Sequence, residues 1–517
     1  MAQAPSRKKF TKTFDDLTKV IDVDDSRGRS VPINMNFIEE GYLSKDTGVS
    51  LFGAVETTKT HSLFHYKKKD GTSYLLRGHN TKLQSYNFTT QVWDDLSPTY
   101  TADAEFGFFV YDDTLWGCNG VENYFKWDGT TFTEYASAPK GNILEVFEDR
   151  MCVSGVTAEP LTVYYSAVSD PSDWSDTTKV LKPLGTDSVT NLKNYYGSLL
   201  IFKKESIWKM TFVYDQVLAV FVPKLEQQSG AYGACSRKAV SWVENDIWFF
   251  TGKEVRAIGF VDNQSGQLGI NKSVISEPIK ETVNSIDNDL YDEISTFYFE
   301  RRFYLSVPLD DTVNDTTFVC HLLYSNNWTK YTGRQKGAVN DFVEYDGSVY
   351  SNNSNTDYGT VKWNGALLND NGVAIAAQVF FQRVENEEFN TFNTYRYLDL
   401  MFKDKTAVIT VEIRQDANDG RLIKTKDFYL GSTVEGKENS LGEVDPGHLW
   451  VADAFGEDIS TSPFLKKRVS FLSKAQSLVV GIKNSNVSES FTVAAYGLSG
   501  FQMPPRLFAG SKIVSMN

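Results

Sequence analysis

The chain has 517 residues, 41% hydrophobic, 23% charged and 14% aromatic, with a formal net charge of −14. That length is too great for one ordinary domain and implies two or three. The aromatic content, 35 Phe, 26 Tyr and 10 Trp, suits half-buried pleated surfaces and points to an all-β fold. The acidic balance argues against a protein that grips nucleic acid through a basic face. It suits solubility, or a surface past which a polyanion slides without sticking.

Residues 1–50 read as an N-terminal arm that crosses or completes a neighbouring sheet. Asp15-Asp16 and Asp22-Val23-Asp24-Asp25 are acidic, and Val31 to Ile38 reads as one strand. Basic residues near the start have no apolar run behind them, so no secretory signal is expected. No window of about twenty apolar residues follows, so no membrane-spanning segment is expected either.

Residues 51–370 repeat one unit, an antiparallel meander of short strands rich in aromatic and β-branched residues. Ser62 to Tyr66 pairs with Tyr74-Leu75-Leu76, and Leu83 to Tyr86 and Val92-Trp93 follow. Phe106 to Val110 pairs with Leu115-Trp116, then Tyr124 to Trp127 follows. Ile143 to Phe147 pairs with Met151-Cys152-Val153, then Val163 to Ser166 follows. The fourth unit, Asn191 to Met210, reads NLKNYYGSLLIFKKESIWKM, and Ser241 to Ile258 and Asp341 to Trp363 share its skeleton. A sixth unit holds Ser295 to Phe299 and Phe303 to Val307. Turns between the first two strands fall at Gly71, Asp113, Asp149, Gly197, Asp246, Arg302 and Gly347, a mean spacing of 46 residues. Repeats of about 40–50 residues with three or four short strands have the spacing of β-propeller blades. One such sheet cannot bury both faces alone, and side-by-side packing places aromatics between neighbours. The expectation is a β-propeller of six or seven blades. A string of sandwiches would take about 100 residues each.

Gly365 to Gly372 is a turn-rich break. Residues 371–517 hold longer strands, several alternating apolar and polar, and read as a C-terminal β-sandwich. Its strands are Ala374 to Phe381, Tyr395 to Phe402, Ala407 to Ile413, Lys467 to Phe471, Ser477 to Ile482 and Phe491 to Tyr496. Gly431 to Ser462 is a long loop within it.

No catalytic, cofactor-binding or metal-binding residue emerges. The sequence has no Walker A, dinucleotide-binding, zinc-protease or nucleophile-elbow motif. Asp22-x-Asp24-x-Ser26 begins like a calcium loop, but Arg27 occupies the glycine position. His61 and His65 are expected on one strand face with His79 nearby, which falls short of a metal site. Cys118, Cys152, Cys235 and Cys320 are dispersed and read as buried thiols. Arg7-Lys8-Lys9 reads as a solvated tail, and Lys466-Lys467-Arg468 as a strand edge marked against aggregation. The repeated signature of sialidase propellers is absent.

Five phrases in order carry a resemblance. Tyr164-Tyr165-Ser166 with Asp170-Pro171-Ser172-Asp173-Trp174 resembles a phrase of tail proteins from short-tailed phages. Tyr195 to Lys203 with Ser206-Ile207-Trp208 is similar to the phrase that follows it there. Arg302 to Pro308, Trp328 to Tyr331 and Tyr345 to Tyr350 fit the same series. The family is the tail nozzle or tail hub group, also called tail tubular protein B or packaged-DNA stabilisation proteins. Gly41 to Gly48 only approximates the turn with which such proteins follow their arm. The resemblance implies a structural virion protein, assembled in the host cytoplasm. It implies a ring, commonly a homohexamer, stacked on portal, adaptor and other tail proteins. The ring retains packaged DNA and conducts it during ejection, with transient, non-specific contact to the passing double strand. It implies no enzyme and no cofactor. The alternatives are a receptor- or glycan-binding propeller of a tail adhesin and, behind it, a glycoside hydrolase.

Overall fold

A computed structural model describes residues 8–14, 17, 31–38, 42–96, 99–176, 179–217, 219–262, 267–270, 274–333, 335–354, 359–381, 384–385, 393–403, 407–415, 421–430, 465–475 and 477–502. The chain is nearly all β and divides into two compact units. One is residues 48–371. The other joins residues 1–47 to residues 372–517. The described residues of the N-terminal stretch therefore belong with the C-terminal strands up to Thr47, and Val49–Leu51 belongs to the first unit.

Residues 48–371 form seven sheets, of which the first six are antiparallel and take their strands in chain order. The first sheet is Thr60–Lys67, Ser73–His79, Lys82–Asn87 and Val92–Asp95. The second is Gly107–Tyr111, Thr114–Cys118, Tyr124–Trp127 and Phe132–Tyr135. The third is Ile143–Phe147, Arg150–Ser154, Val163–Tyr165 and Val180–Leu181. The fourth, with the longest outer strands, is Val189–Tyr195, Ser198–Lys203, Ile207–Asp215 and Val220–Ser229. The fifth is Val240–Val243, Asp246–Phe250, Val255–Asp262 and Gln267–Ile270. The sixth is Ser295–Phe299, Arg302–Val307, Thr316–His321 and Asn327–Thr332. The seventh takes Val339–Tyr345, Ser348–Asn353 and Thr360–Trp363 from its own stretch of chain. Val49–Leu51 pairs with Thr360–Trp363 as its fourth strand, and Asn369–Asp370 continues the sheet parallel to Val49–Leu51.

First strands of consecutive sheets lie against one another, and Val339–Tyr345 lies against Thr60–Lys67. Between the fourth and fifth sheets, Asn191 Nδ2 donates to the Arg237 carbonyl, the Tyr195 hydroxyl donates to the Asn245 carbonyl, and one apolar cluster joins Leu200 and Phe202 to Val240 and Ile247. Aromatic rings fill every junction. Phe64 meets Phe108 (5.3 Å), Tyr124 meets Trp174 (5.8 Å) and Phe147 meets Phe212 (6.0 Å). Phe202 meets Phe249 (5.5 Å), Trp248 meets Phe303 (5.1 Å), Phe297 meets Phe342 (5.4 Å) and Phe52 meets both Tyr86 (4.0 Å) and Tyr350 (4.8 Å). These are the offset and edge geometries that give aromatic pairs energy beyond area burial.

The second unit has two sheets. One runs Met35–Phe37, Leu43–Lys45, Thr492–Gln502, Asn393–Phe402, Leu465–Ala475, with Lys8–Phe14 also paired to Thr492–Gln502. The other runs Ala377–Phe380, Ser477–Asn484, Val408–Gln415, Leu422–Tyr429, with Val384–Glu385 also on Ser477–Asn484. Phe381 stacks on Tyr496 (4.5 Å) between them, and Asn34 Nδ2 donates to the Ala376 carbonyl (2.8 Å). The segment expected as one strand from Val31 to Ile38 is strand only at Met35–Phe37, with an isolated bridge from Ile33 to Gln378. Lys466-Lys467-Arg468 lies on the edge strand Leu465–Ala475, where Arg468 makes two hydrogen bonds to Asp399 (2.5 and 3.0 Å).

Candidate functional site

The polar side chains that converge in the seven-sheet unit sit at or just before the starts of the first strands. Arg237 and Lys238 precede Val240–Val243 and reach four other sheets. The Arg237 guanidinium donates to Glu105 (2.7 Å) and to the Phe106 carbonyl (3.0 Å), both just ahead of the second sheet. Lys238 Nζ donates to the other Glu105 oxygen (2.6 Å) and to Asn340 Oδ1 (2.7 Å) of the seventh sheet. The Arg237 carbonyl accepts from Asn191 of the fourth sheet. The Lys238 carbonyl accepts from the Thr296 backbone (2.9 Å) and hydroxyl (2.8 Å) of the sixth. Asn340 Nδ2 then donates to the Thr60 carbonyl (3.0 Å), and Asp341 accepts from the Leu63 backbone (3.0 Å), which brings in the first sheet.

Burial pushes the Glu105 carboxyl upward, but the Lys238 and Arg237 charges outweigh it and hold Glu105 well below the usual carboxylate range. Asp341 lies in the same field and is raised, chiefly by burial. One carboxylate is thus fully ionised between two cations, the arrangement that lets buried charges persist. It ties strands together. Each charged group in it has a partner.

The three histidines do not converge. A bulge between His61 and Phe64, with Ser62 at φ +55°, shifts the register and puts His61 and His65 on opposite faces, contrary to simple alternation. His61 stacks on Phe106 (6.1 Å) and covers Gly78, where a Cβ would run into its ring. His65 faces Tyr345 (4.7 Å). His79 Nε2 is bound to Thr58 (2.7 Å) and approaches Glu56 (3.4 Å). Among the described residues no group of His, Cys, Asp and Glu is arranged to hold a metal. All four cysteines are buried and free, and burial pushes each thiol up. The acidic Asp22–Asp25 stretch, Arg7 and the Gly431–Ser462 loop lie outside the described residues.

Burial lowers the His61 imidazole to about 4. An unfolded imidazole titrates near 6.5, so the unfolded chain binds the extra proton between those values. The stability gained by keeping His61 neutral is therefore present above about pH 6.5 and is lost as pH falls to 4, by about 3 kcal/mol. Glu145 acts in the opposite sense: burial raises it to about 7, so its contribution is present at acid pH and lost as pH rises through 7. The His61→Gln variant is expected to lose the acid-side fall while keeping the Glu145 dependence. Urea midpoints of the two proteins at pH 7 and pH 4.5 check this, and parallel curves contradict it.

The phrases that carry the family resemblance are packing elements. Asp170 Oδ1 accepts from the Ser172 backbone (3.0 Å) and hydroxyl (2.6 Å), and Trp174 Nε1 donates to the Pro171 carbonyl (3.0 Å). Tyr195 to Lys203 is the first hairpin of the fourth sheet, and Tyr345 to Tyr350 that of the seventh. No family model matches the chain, and no curated protein matches it in sequence. A solved structure it is similar to is that of the computationally designed Ika8 protein, at 13% identity and a TM-score of 0.36, covering 61% of this chain and 98% of that one. A likeness at that TM-score assigns neither a fold nor a role.

Proposed function

We propose that residues 48–371 are a seven-bladed β-propeller, that the second unit is a β-sandwich, and that the chain is a structural virion protein of a phage tail. It acts without catalysis, as one subunit of a ring that retains packaged DNA and conducts it during ejection. The observation that carries this reading is where the resembling phrases fall. They are two hairpins, a tryptophan turn and two strands of the repeated sheets, in the order of the tail nozzle phrases. Seven sheets of one design, the last completed by Val49–Leu51, support the propeller, because shared first and last sheets are how such repeats hide their ends.

On this reading the middle of one propeller is filled by Arg237, Lys238, Glu105 and Asn340. DNA then passes between copies, along the axis of the assembly. The charge is placed to suit that. Residues 48–371 carry 28 Lys and Arg against 41 Asp and Glu, a net of −13, leaving −1 for the rest of the chain. An acidic wall repels the phosphate backbone and lets it slide.

A second reading, a glycan-binding propeller, is favoured by the exposed ring of Tyr196 beside Trp242 (6.0 Å). Sedimentation velocity and a glycan screen on the same preparation separate the two. The tail reading expects a single assembly several chains in mass and no saturable sugar binding. A monomer that binds one sugar saturably, and loses it in Trp242→Ala, supports the second reading.

A further inference from the structure

We propose that Lys45 and Asn484 form an intramolecular amide cross-link, made by the protein itself. Lys45 ends the strand Leu43–Lys45, and Asn484 ends Ser477–Asn484 on the other sheet of the same unit. The side chains are 3% and 4% exposed. Lys45 Nζ lies 2.6 Å from Asn484 Oδ1 and 3.1 Å from the Asn486 carbonyl. On its other side the same carboxamide donates from Nδ2 to Glu489 Oε2 (2.8 Å) and to the Val408 carbonyl (2.8 Å). Glu489 is itself fixed, accepting from the Val408 backbone (2.9 Å) and from Asn486 Nδ2 (3.0 Å). Backbone hydrogen bonding from Lys45 to the Phe491 carbonyl (3.0 Å) holds the amine in place.

One buried carboxamide is therefore held between a buried amine and a half-buried carboxylate. Burial of Lys45 disfavours its charged form and favours release of its proton to solvent, leaving a neutral amine against the carboxamide. The freed amine pair adds to Cγ of Asn484, forming the new C–N bond and placing the carbonyl π pair on Oδ1. Collapse re-forms the carbonyl and breaks the bond from Cγ to Nδ2. As it does so, the Glu489 carboxylate beside Nδ2 takes the surplus proton of the newly bonded nitrogen and passes it to the departing nitrogen, which leaves as ammonia. Lysine and asparagine give a secondary amide and ammonia, Glu489 is regenerated, and no oxidant or cofactor enters. Fixed proximity supplies the effective molarity that amide exchange in water lacks.

Lys238, Asn340 and Glu105 are the same three residue types in a different arrangement. Lys238 Nζ donates to Glu105 directly, and Asn340 Nδ2 donates to the Thr60 carbonyl, so no carboxylate lies beside the nitrogen that would leave. That site is a built-in comparison. Lys45 and Asn484 are 439 positions apart, so the bond would place the whole seven-sheet unit inside one covalent loop.

The test is the intact mass of the full chain under denaturing conditions, followed by peptide mapping. The expected mass is that of the sequence less one ammonia, with a branched peptide joining the Lys45 and Asn484 segments. Lys45→Met and Glu489→Gln are expected to restore the full sequence mass. An unmodified wild-type mass, with Lys45 and Asn484 recovered in separate linear peptides, overturns the proposal whatever the variants do. So does an ammonia loss that survives in Lys45→Met or maps to Lys238 and Asn340.

Discussion

Glu105→Ala is expected to lower the unfolding free energy of the seven-sheet unit by about 3 kcal/mol, the low end of the cost of breaking a buried ion pair. The low end applies because the Glu105 side chain is 24% exposed and water screens part of the loss. The substitution leaves Arg237 and Lys238 side by side without a counter-charge, and it removes acceptors that join the fifth sheet to the second. Glu105→Gln keeps the volume and one acceptor and is expected to recover only part of the loss. Urea unfolding followed by tryptophan fluorescence measures both, because eight of the ten tryptophans lie in the seven repeated sheets. A Glu105→Ala midpoint equal to that of the wild type would show that the network contributes nothing net.

The second large effect is expected at Arg77, a fully buried arginine of the first sheet. Its guanidinium pairs with Glu56, donates to Gln84 Oε1 (3.0 Å) and Thr360 Oγ1 (3.1 Å), and lies 4.2 Å over the Trp93 ring. Burial lowers it to about 10, which leaves it charged at neutral pH. Thr360 belongs to the strand that pairs with Val49–Leu51, so Arg77 pins the completed seventh sheet to the first. Arg77→Ala is expected to cost about 4 kcal/mol, since it strands Glu56 and empties a large buried volume. Pairing Arg77→Met with Glu56→Gln is expected to be more stable than Arg77→Met alone, because the second change removes the orphaned carboxylate. A double-mutant cycle measures that coupling, and additive losses would exclude it.

The repeat is legible in the sequence because its hairpins demand special residues. Two-residue turns between twisted strands need positive φ at both central positions, which Asp, Asn and Gly tolerate. Asp112 and Asp113 adopt φ 44° and 61°, and Asp346 and Gly347 adopt 49° and 66°. Asp246 and Arg302, chosen as turn markers, instead begin the second strands of their sheets. There the turns use Glu244, Glu300 and Arg301 at positive φ, which no composition rule would select. The strand Val49–Leu51 escaped notice because three residues carry too little period. Its role rests on a partner about 310 positions later. The polar centre was illegible for a related reason. Glu105 and Arg237 are 132 positions apart, and neither lies in a motif. Only the return of the seventh first strand to the first brings such residues together. The His61 and His65 reading failed on a single bulge, which one extra residue creates without a sequence signature.

The proposed tail role requires that copies of this chain assemble into a ring around a DNA-sized passage. Single-particle imaging of the purified full chain tests it most directly. Rings of about six copies are expected, with a central opening wide enough for duplex DNA and the acidic seven-sheet units arranged around it. Isolated single chains at every concentration imaged, or closed assemblies with no opening of that width, would contradict it.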